Sequence, residues 1–96
     1  MKDMFVYIIA SKHNTSVYSG VTNNLVRRIY EHRNELIDGF SKRYHIHKLV
    51  YYEIYDNPII AIQREKNIKH YPRSWKDNLV NGFNPQWRDL YDDICK

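Results

Sequence analysis

One cysteine, three glycines and three prolines are all that this 96-residue chain holds of the residues that staple, hinge or break a backbone. Cys95 has no second cysteine to pair with, so an internal disulfide and a cysteine-based metal cluster are both excluded, and a reducing, cytoplasmic setting is expected. The glycines stand apart at 20, 39 and 82, which leaves no Gly-rich phosphate loop. The apolar run at the N-terminus, MFVYIIA, is too short for a membrane span and follows an acidic Asp3, so neither a membrane segment nor a targeting segment is read there. Repeats, low-complexity tracts and linkers are also missing. A single soluble domain over residues 1–96 is the expectation.

Aromatic side chains are abundant by contrast. They make up 15 % of the chain and nine of them are tyrosines, which join apolar bulk to a polar tip. The formal charge of +4 and sequence pI near 9.2 give a mild bias toward a polyanionic partner such as nucleic acid.

Met4 to Ala10 has the β-branched and aromatic composition of a strand, Ser11 to Ser16 reads as a turn, and Val17 to Gly20 resumes the strand pattern. The two runs should pair as an antiparallel hairpin. Asn23 or Asn24 can cap a helix starting near residue 25, with Leu25, Val26, Ile29, Leu36 and Ile37 as its apolar stripe and Asp38-Gly39 as its end. Residues 40–47, FSKRYHIH, read as a basic loop, and residues 48–55, KLVYYEIY, as a third strand. Asn57-Pro58 opens a helix carrying Ile60, Ala61, Ile68 and Tyr71 on one side. Pro72 stops it, a short helix with Trp75, Leu79 and Val80 ends before Gly82, and Asn84-Pro85 starts a closing amphipathic helix through Trp87, Leu90, Tyr91 and Ile94. The order is ββαβααα: an α+β domain with a small, mainly antiparallel three-stranded sheet.

Several residues could carry chemistry. Tyr7 and Tyr18 lie on the two strands of the hairpin, close enough to reach a common point, although strand tyrosines usually only pack. Arg28 and His32, four apart, share a side of their helix, at about 120° and about 80° from the centre of its apolar stripe. Such flank residues are most often solvated; here they could also be aimed at a phosphate. Arg27 lies farther round, as a solvated arginine would. Glu65 falls about 90° from its stripe, with Lys69 one turn on, so either a surface ion pair or a single-carboxylate Mg²⁺ site fits. His45 and His47 are two apart, His13 and His70 stand singly, and none has a zinc-like spacing to another ligand, so a structural zinc site is not expected.

In order, these residues resemble the GIY-YIG nuclease superfamily, and in particular its small stand-alone bacterial members. The GIY-like tripeptide of the first strand is Val6-Tyr7-Ile8, with Val6 in the glycine place, and the YIG tripeptide of the second is Tyr18-Ser19-Gly20, with Ser19 for isoleucine. Arg28 and His32 occupy the arginine and histidine places of the next helix, and Glu65 the metal-binding glutamate of AIQREKNIK. The basic loop 40–47, the aromatic strand 48–55, EKxIK at 65–69 and NPxWxDL at 84–90 extend the likeness along nearly the whole chain.

The resemblance implies metal-dependent hydrolysis of DNA phosphodiester bonds, with DNA repair as the process served. Tyr7 or Tyr18 would activate or orient the attacking water. Arg28 would stabilise the charge gained by the phosphate, worth roughly 3–4 kcal/mol. His32 would shuttle a proton or hold a phosphate oxygen, Glu65 would hold one Mg²⁺ or Mn²⁺, and Gly20 would let the backbone pass close by. Lys42, Arg43 and His45 are candidates for contacts to the nucleic-acid backbone. Asn78, Asn81 and Asn84 are the choices for the asparagine that some members use. DNA is the implied partner, with RNA and branched DNA open. Two alternatives stand beside the nuclease: a nucleic-acid-binding module with little chemistry of its own, and a protein-interaction or housekeeping domain.

Overall fold

A computed structural model describes residues 3–96. Strands β1 (Met4–Ser11), β2 (Val17–Thr22) and β3 (Ile46–Tyr55) form one antiparallel sheet in the order β2-β1-β3. The central strand explains its own sequence: β1 is covered on both faces, so Val6, Tyr7, Ile8, Ile9 and Ala10 are all buried and apolarity runs unbroken. Asn14 turns the hairpin at φ 62, a conformation asparagine tolerates, and Arg73 donates to the Thr15 carbonyl.

Helix α1 (Leu25–Arg33) starts where Asn24 accepts from the Arg27 amide, and it packs Leu25 and Ile29 on the odd-numbered face of β1 with Leu49 and Leu90. The other face, Val6, Ile8 and Ala10, is covered by α3 (Pro58–Lys69) and α4 (Arg73–Phe83) through Ala61, Ile68 and Val80. Asn57 caps α3 by accepting from Ile59 and Ile60, with Pro58 in the first turn. At the far edge of the sheet, Glu53 of β3 accepts from Tyr51, from Tyr55 and from both ends of the Arg64 guanidinium. No helix of the described residues is long and apolar enough to cross a membrane.

Four local expectations are corrected. Helix α1 ends at Arg33 rather than near Asp38, because Glu35 turns to φ 56; Leu36 is left exposed and does not belong to the stripe. Phe40–Arg43 is a short helix, α2, within the segment read as loop. Helix α4 runs through Gly82 to Phe83. The closing helix is only Tyr91–Ile94, α5, because residues 84–90 form a turn and irregular backbone held by other partners. Trp87 adopts φ 53, the Leu90 amide donates to the Leu49 carbonyl, and buried Asn84 donates to the carbonyls of Val50 and Arg88 while accepting from the Arg88 amide. Asn84 is a clamp between the tail and β3. Asn84→Ala, which strands these backbone groups, is expected to lower unfolding free energy by about 2–3 kcal/mol, measured by urea denaturation.

Candidate active site

The hairpin register places Gly20 directly opposite Tyr7, with Tyr18 opposite Ile9. Tyr7 and Tyr18 are thus diagonal neighbours on one face. The Tyr7 phenol lies over Gly20: a β-carbon there would sit 2.5 Å from Tyr7 Cζ and closer still to the hydroxyl. Helix α1 supplies the partner. His32 is 3 % exposed and shares hydrogen bonds of 2.9 Å through Nε2 with the Tyr7 hydroxyl and through Nδ1 with Ser41 Oγ of α2. Its ring centroid is 5.8 Å from those of both Tyr7 and Tyr18.

Burial, reinforced by the Arg28 charge, pushes the His32 pKa down to about 4, so its ring is neutral at pH 7. Burial first, and then Tyr18, raise the Tyr7 hydroxyl well above its ordinary value, against a lowering pull from Arg28. The result is a neutral Tyr7–His32–Ser41 chain. Whichever tautomer the imidazole adopts, one nitrogen accepts and the other donates.

Arg28 extends from the same side of α1 and lines an open polar cleft of about 490 Å³ with Thr22, Asn24, Arg27 and Glu31. Its Nε is buried and lies 3.3 Å from Glu31 Oε1, yet no described residue completes a hydrogen bond to it. Arg27 is largely solvated and leans on the same carboxylate, at 3.5 Å.

Glu65 corrects the helical-wheel reading. It is 8 % exposed and lies in the middle of the buried side of α3, between Ala61 and Ile68, while Ile59 and Ile60 face solvent at 77 % and 54 %. Its Oε2 is buried without a hydrogen-bond partner among the described residues; Lys69 Nζ is 3.4 Å away, outside hydrogen-bond geometry. Lys69 also sits 5.4 Å from the centre of the Tyr18 ring. Tyr18, on the edge strand β2, therefore touches α1 chemistry through His32 and α3 chemistry through Lys69. Tyr7, Tyr18, Arg28, His32 and Glu65 are brought to one place, each near enough to the Tyr7 hydroxyl to influence its ionisation or, for His32, to bond it.

Lys42 pairs with Asp38 at 3.3 Å, Arg43 lies over the Tyr44 ring, and His45 is engaged by Glu35. Asn84 is consumed by the tail clamp, Asn81 accepts from the Trp87 indole, and Asn78 is exposed on α4. Sequence reasoning missed Ser41. Its only signal is a hydroxyl in a segment whose helix was not foreseen, nine residues from the histidine it partners. Potential metal ligands occur at Glu65 and in a separate cluster of Glu35, His45 and His47.

The sequence pattern of the GIY-YIG catalytic domain matches residues 3–78. The chain belongs to the GIY-YIG family. It is similar to a UPF0213 protein of Clostridium perfringens, 38 % identical over 77 residues that span 80 % of this chain and 82 % of that one. A UPF0213 protein of Natronomonas pharaonis is 33 % identical over 78 residues, spanning 81 % and 91 %. The solution NMR structure of a UPF0213 protein from Bacillus halodurans matches with a TM-score of 0.58 at 25 % identity, covering 92 % of this chain and 93 % of the other. The α+β fold with its three-stranded antiparallel sheet is thus similar to that of this UPF0213 protein.

Two outcomes follow from the geometry. Gly20→Ala must push the Tyr7 ring off His32, so it should cost about 1–3 kcal/mol in chemical denaturation and change the tyrosine near-UV signal. Acid should weaken the fold through His32. The unfolded chain takes a proton near pH 6.5, whereas the native ring refuses it until about pH 4. Stability is therefore full above pH 6.5 and falls between 6.5 and 4, by about 3 kcal/mol at most. A denaturation series over that window should show a shallower fall in His32→Gln than in the wild type.

Proposed function

We propose that this GIY-YIG chain is a metal-dependent endonuclease that hydrolyses DNA phosphodiester bonds. The observation that carries the reading is that Arg28 and Glu65 both act on the Tyr7 hydroxyl, while the buried Arg28 Nε and Glu65 Oε2 each lie within ion-pair distance of one partner, Glu31 at 3.3 Å and Lys69 at 3.4 Å, without completing a hydrogen bond. Buried polar atoms are rarely left without a hydrogen bond, and each such atom calls for a reason. A donor suited to an anionic oxygen and an acceptor suited to a cation, in one site, together match a phosphate with its counter-ion.

A lone carboxylate oxygen fits Mg²⁺ or Mn²⁺, hard ions that keep several waters and take further oxygens from a phosphate. Glu65 would hold one such ion, and its chemistry there is to neutralise charge on the phosphate and the leaving oxygen. Arg28 binds the phosphate and stabilises the charge that builds on it. Tyr7 keeps its own proton at neutral pH, so it orients the attacking water rather than meeting it as a free phenolate. A proton taken up at the Tyr7 oxygen can leave toward His32 Nε2, whose ring Ser41 holds through Nδ1. Tyr18 closes the site on the β2 side. Lys42 and Arg43, beside Ser41 on α2, supply sequence-independent contacts to the strand, which makes binding fall with salt.

The purified chain should nick plasmid or cut single-stranded or branched DNA when Mg²⁺ or Mn²⁺ is present. Arg28→Ala is expected to lower the cleavage rate about 10²–10³-fold. Glu65→Gln should abolish cleavage with little loss of melting temperature, because it removes a buried charge with no completed hydrogen bond, and its ion-pair partner Lys69 is half exposed to water. Salt-sensitive gel shifts with no cleavage by either ion would overturn the enzyme and leave the binding module.

A further inference from the structure

We propose that Glu35, His45 and His47 form a second metal site, for one Zn²⁺ or a similar borderline divalent ion, distinct from the Glu65 centre. Sequence spacing alone gave no such site; the fold assembles it. Glu35 Oε2 lies 2.5 Å from His45 Nδ1 and 3.0 Å from His47 Nε2, and the three ligand atoms all fall within 4.8 Å of one another. Around an ion with ligands at about 2.0–2.1 Å, tetrahedral neighbours are separated by about 3.3 Å, so small side-chain rotations suffice. Two imidazoles and one carboxylate are a zinc-type donor set. Mg²⁺ and Ca²⁺, which seek oxygen, are poorly matched to it. The carboxylate and His47 are half-buried and His45 is open to solvent, which leaves room for water at the remaining coordination position.

The backbone shows how the cluster is assembled. Glu35 follows the last residue of α1's cap and His45 follows that of α2, the position at which helices usually place glycine. Both adopt left-handed backbone, φ 56 and φ 52, the common way for a helix to end, with the Glu35 and His45 amides bonded back to the His32 and Lys42 carbonyls. These two turns bring the Glu35 carboxylate and the His45 ring to the same point as His47. The ion would tie the end of α1 to the start of β3 and so fix the intervening segment. That segment carries Ser41, the residue that holds His32 Nδ1. The site therefore acts as a staple on the positioning of His32, not as a reaction centre.

The test is calorimetric titration of the tag-free full chain with Zn²⁺, without nucleic acid and without other divalent ions. One tight equivalent is expected. His47→Ala and His45→Gly should each weaken it by more than the roughly 10–100-fold that losing an outer-shell contact costs. Glu65→Gln should leave it unchanged. His45→Gly also separates binding from folding: glycine relieves the left-handed backbone, so the metal-free variant should melt at or above the wild-type temperature. Zn²⁺ should then raise the melting temperature of the wild type and not of the variant. Absence of binding, binding undiminished in both histidine variants, or loss of the tight equivalent in Glu65→Gln would each overturn the proposal, and none of these results depends on whether the chain cuts DNA.

Discussion

The Tyr7 phenol, laid over Gly20 and bonded to His32, is the contact around which the molecule is arranged. It requires three things at once. The β1–β2 register must put the one residue without a side chain opposite Tyr7. Helix α1 must deliver a histidine after two turns, and α2 must bring a hydroxyl to the far nitrogen of that histidine. Because the ring is buried and neutral, the arrangement is held by directional hydrogen bonds rather than by an ion pair. A shift of a few tenths of an ångström in either strand would disturb it.

Much of this was legible in the residues. The strands announce themselves through β-branched and aromatic runs, and the four-residue spacing of Arg28 and His32 survives as a shared helix side. Glu65 was harder. Its stripe is drawn through Ile60, Ala61, Ile68 and Tyr71, and Ile60 tilts the wheel; in the structure Ile60 faces water while Glu65 is inside with Ala61 and Ile68. A buried carboxylate among aliphatic neighbours runs against transfer free energy, so hydrophobic patterning does not announce it. The short α1 and the irregular tail failed for another reason. Glu35 and Trp87 take left-handed backbone that no local preference announces, and Asn84 spends its amide on carbonyls from a distant strand and from four residues on, so tertiary bonds replaced a helix that the local spacing favoured.

The two edges of the sheet differ in a way that matters. Along β3, Glu53 has its oxygens met by two tyrosine hydroxyls and a forked guanidinium, and its neighbourhood has little left to offer a ligand. Along β2, Tyr18 is half open, and the buried Arg28 Nε and Glu65 Oε2 have ion-pair neighbours but no completed hydrogen bond among the described residues. Helices α1 and α3 sit on opposite faces, so only an edge strand lets their side chains meet. The position of β2 in the sheet, rather than any loop, creates the candidate site.

The tail carries a lesson about where the molecule stops. The GIY-YIG pattern ends at residue 78, yet Leu90 fills the core beneath α1, Asp89 pairs with Arg33 near the end of that helix, and Asn84 engages a carbonyl of β3. The recognisable motif and the cooperative unit therefore have different borders. A fragment cut at the edge of the motif would keep every residue named in the site and lose the buttress that keeps α1, and with it Arg28 and His32, pressed against the sheet.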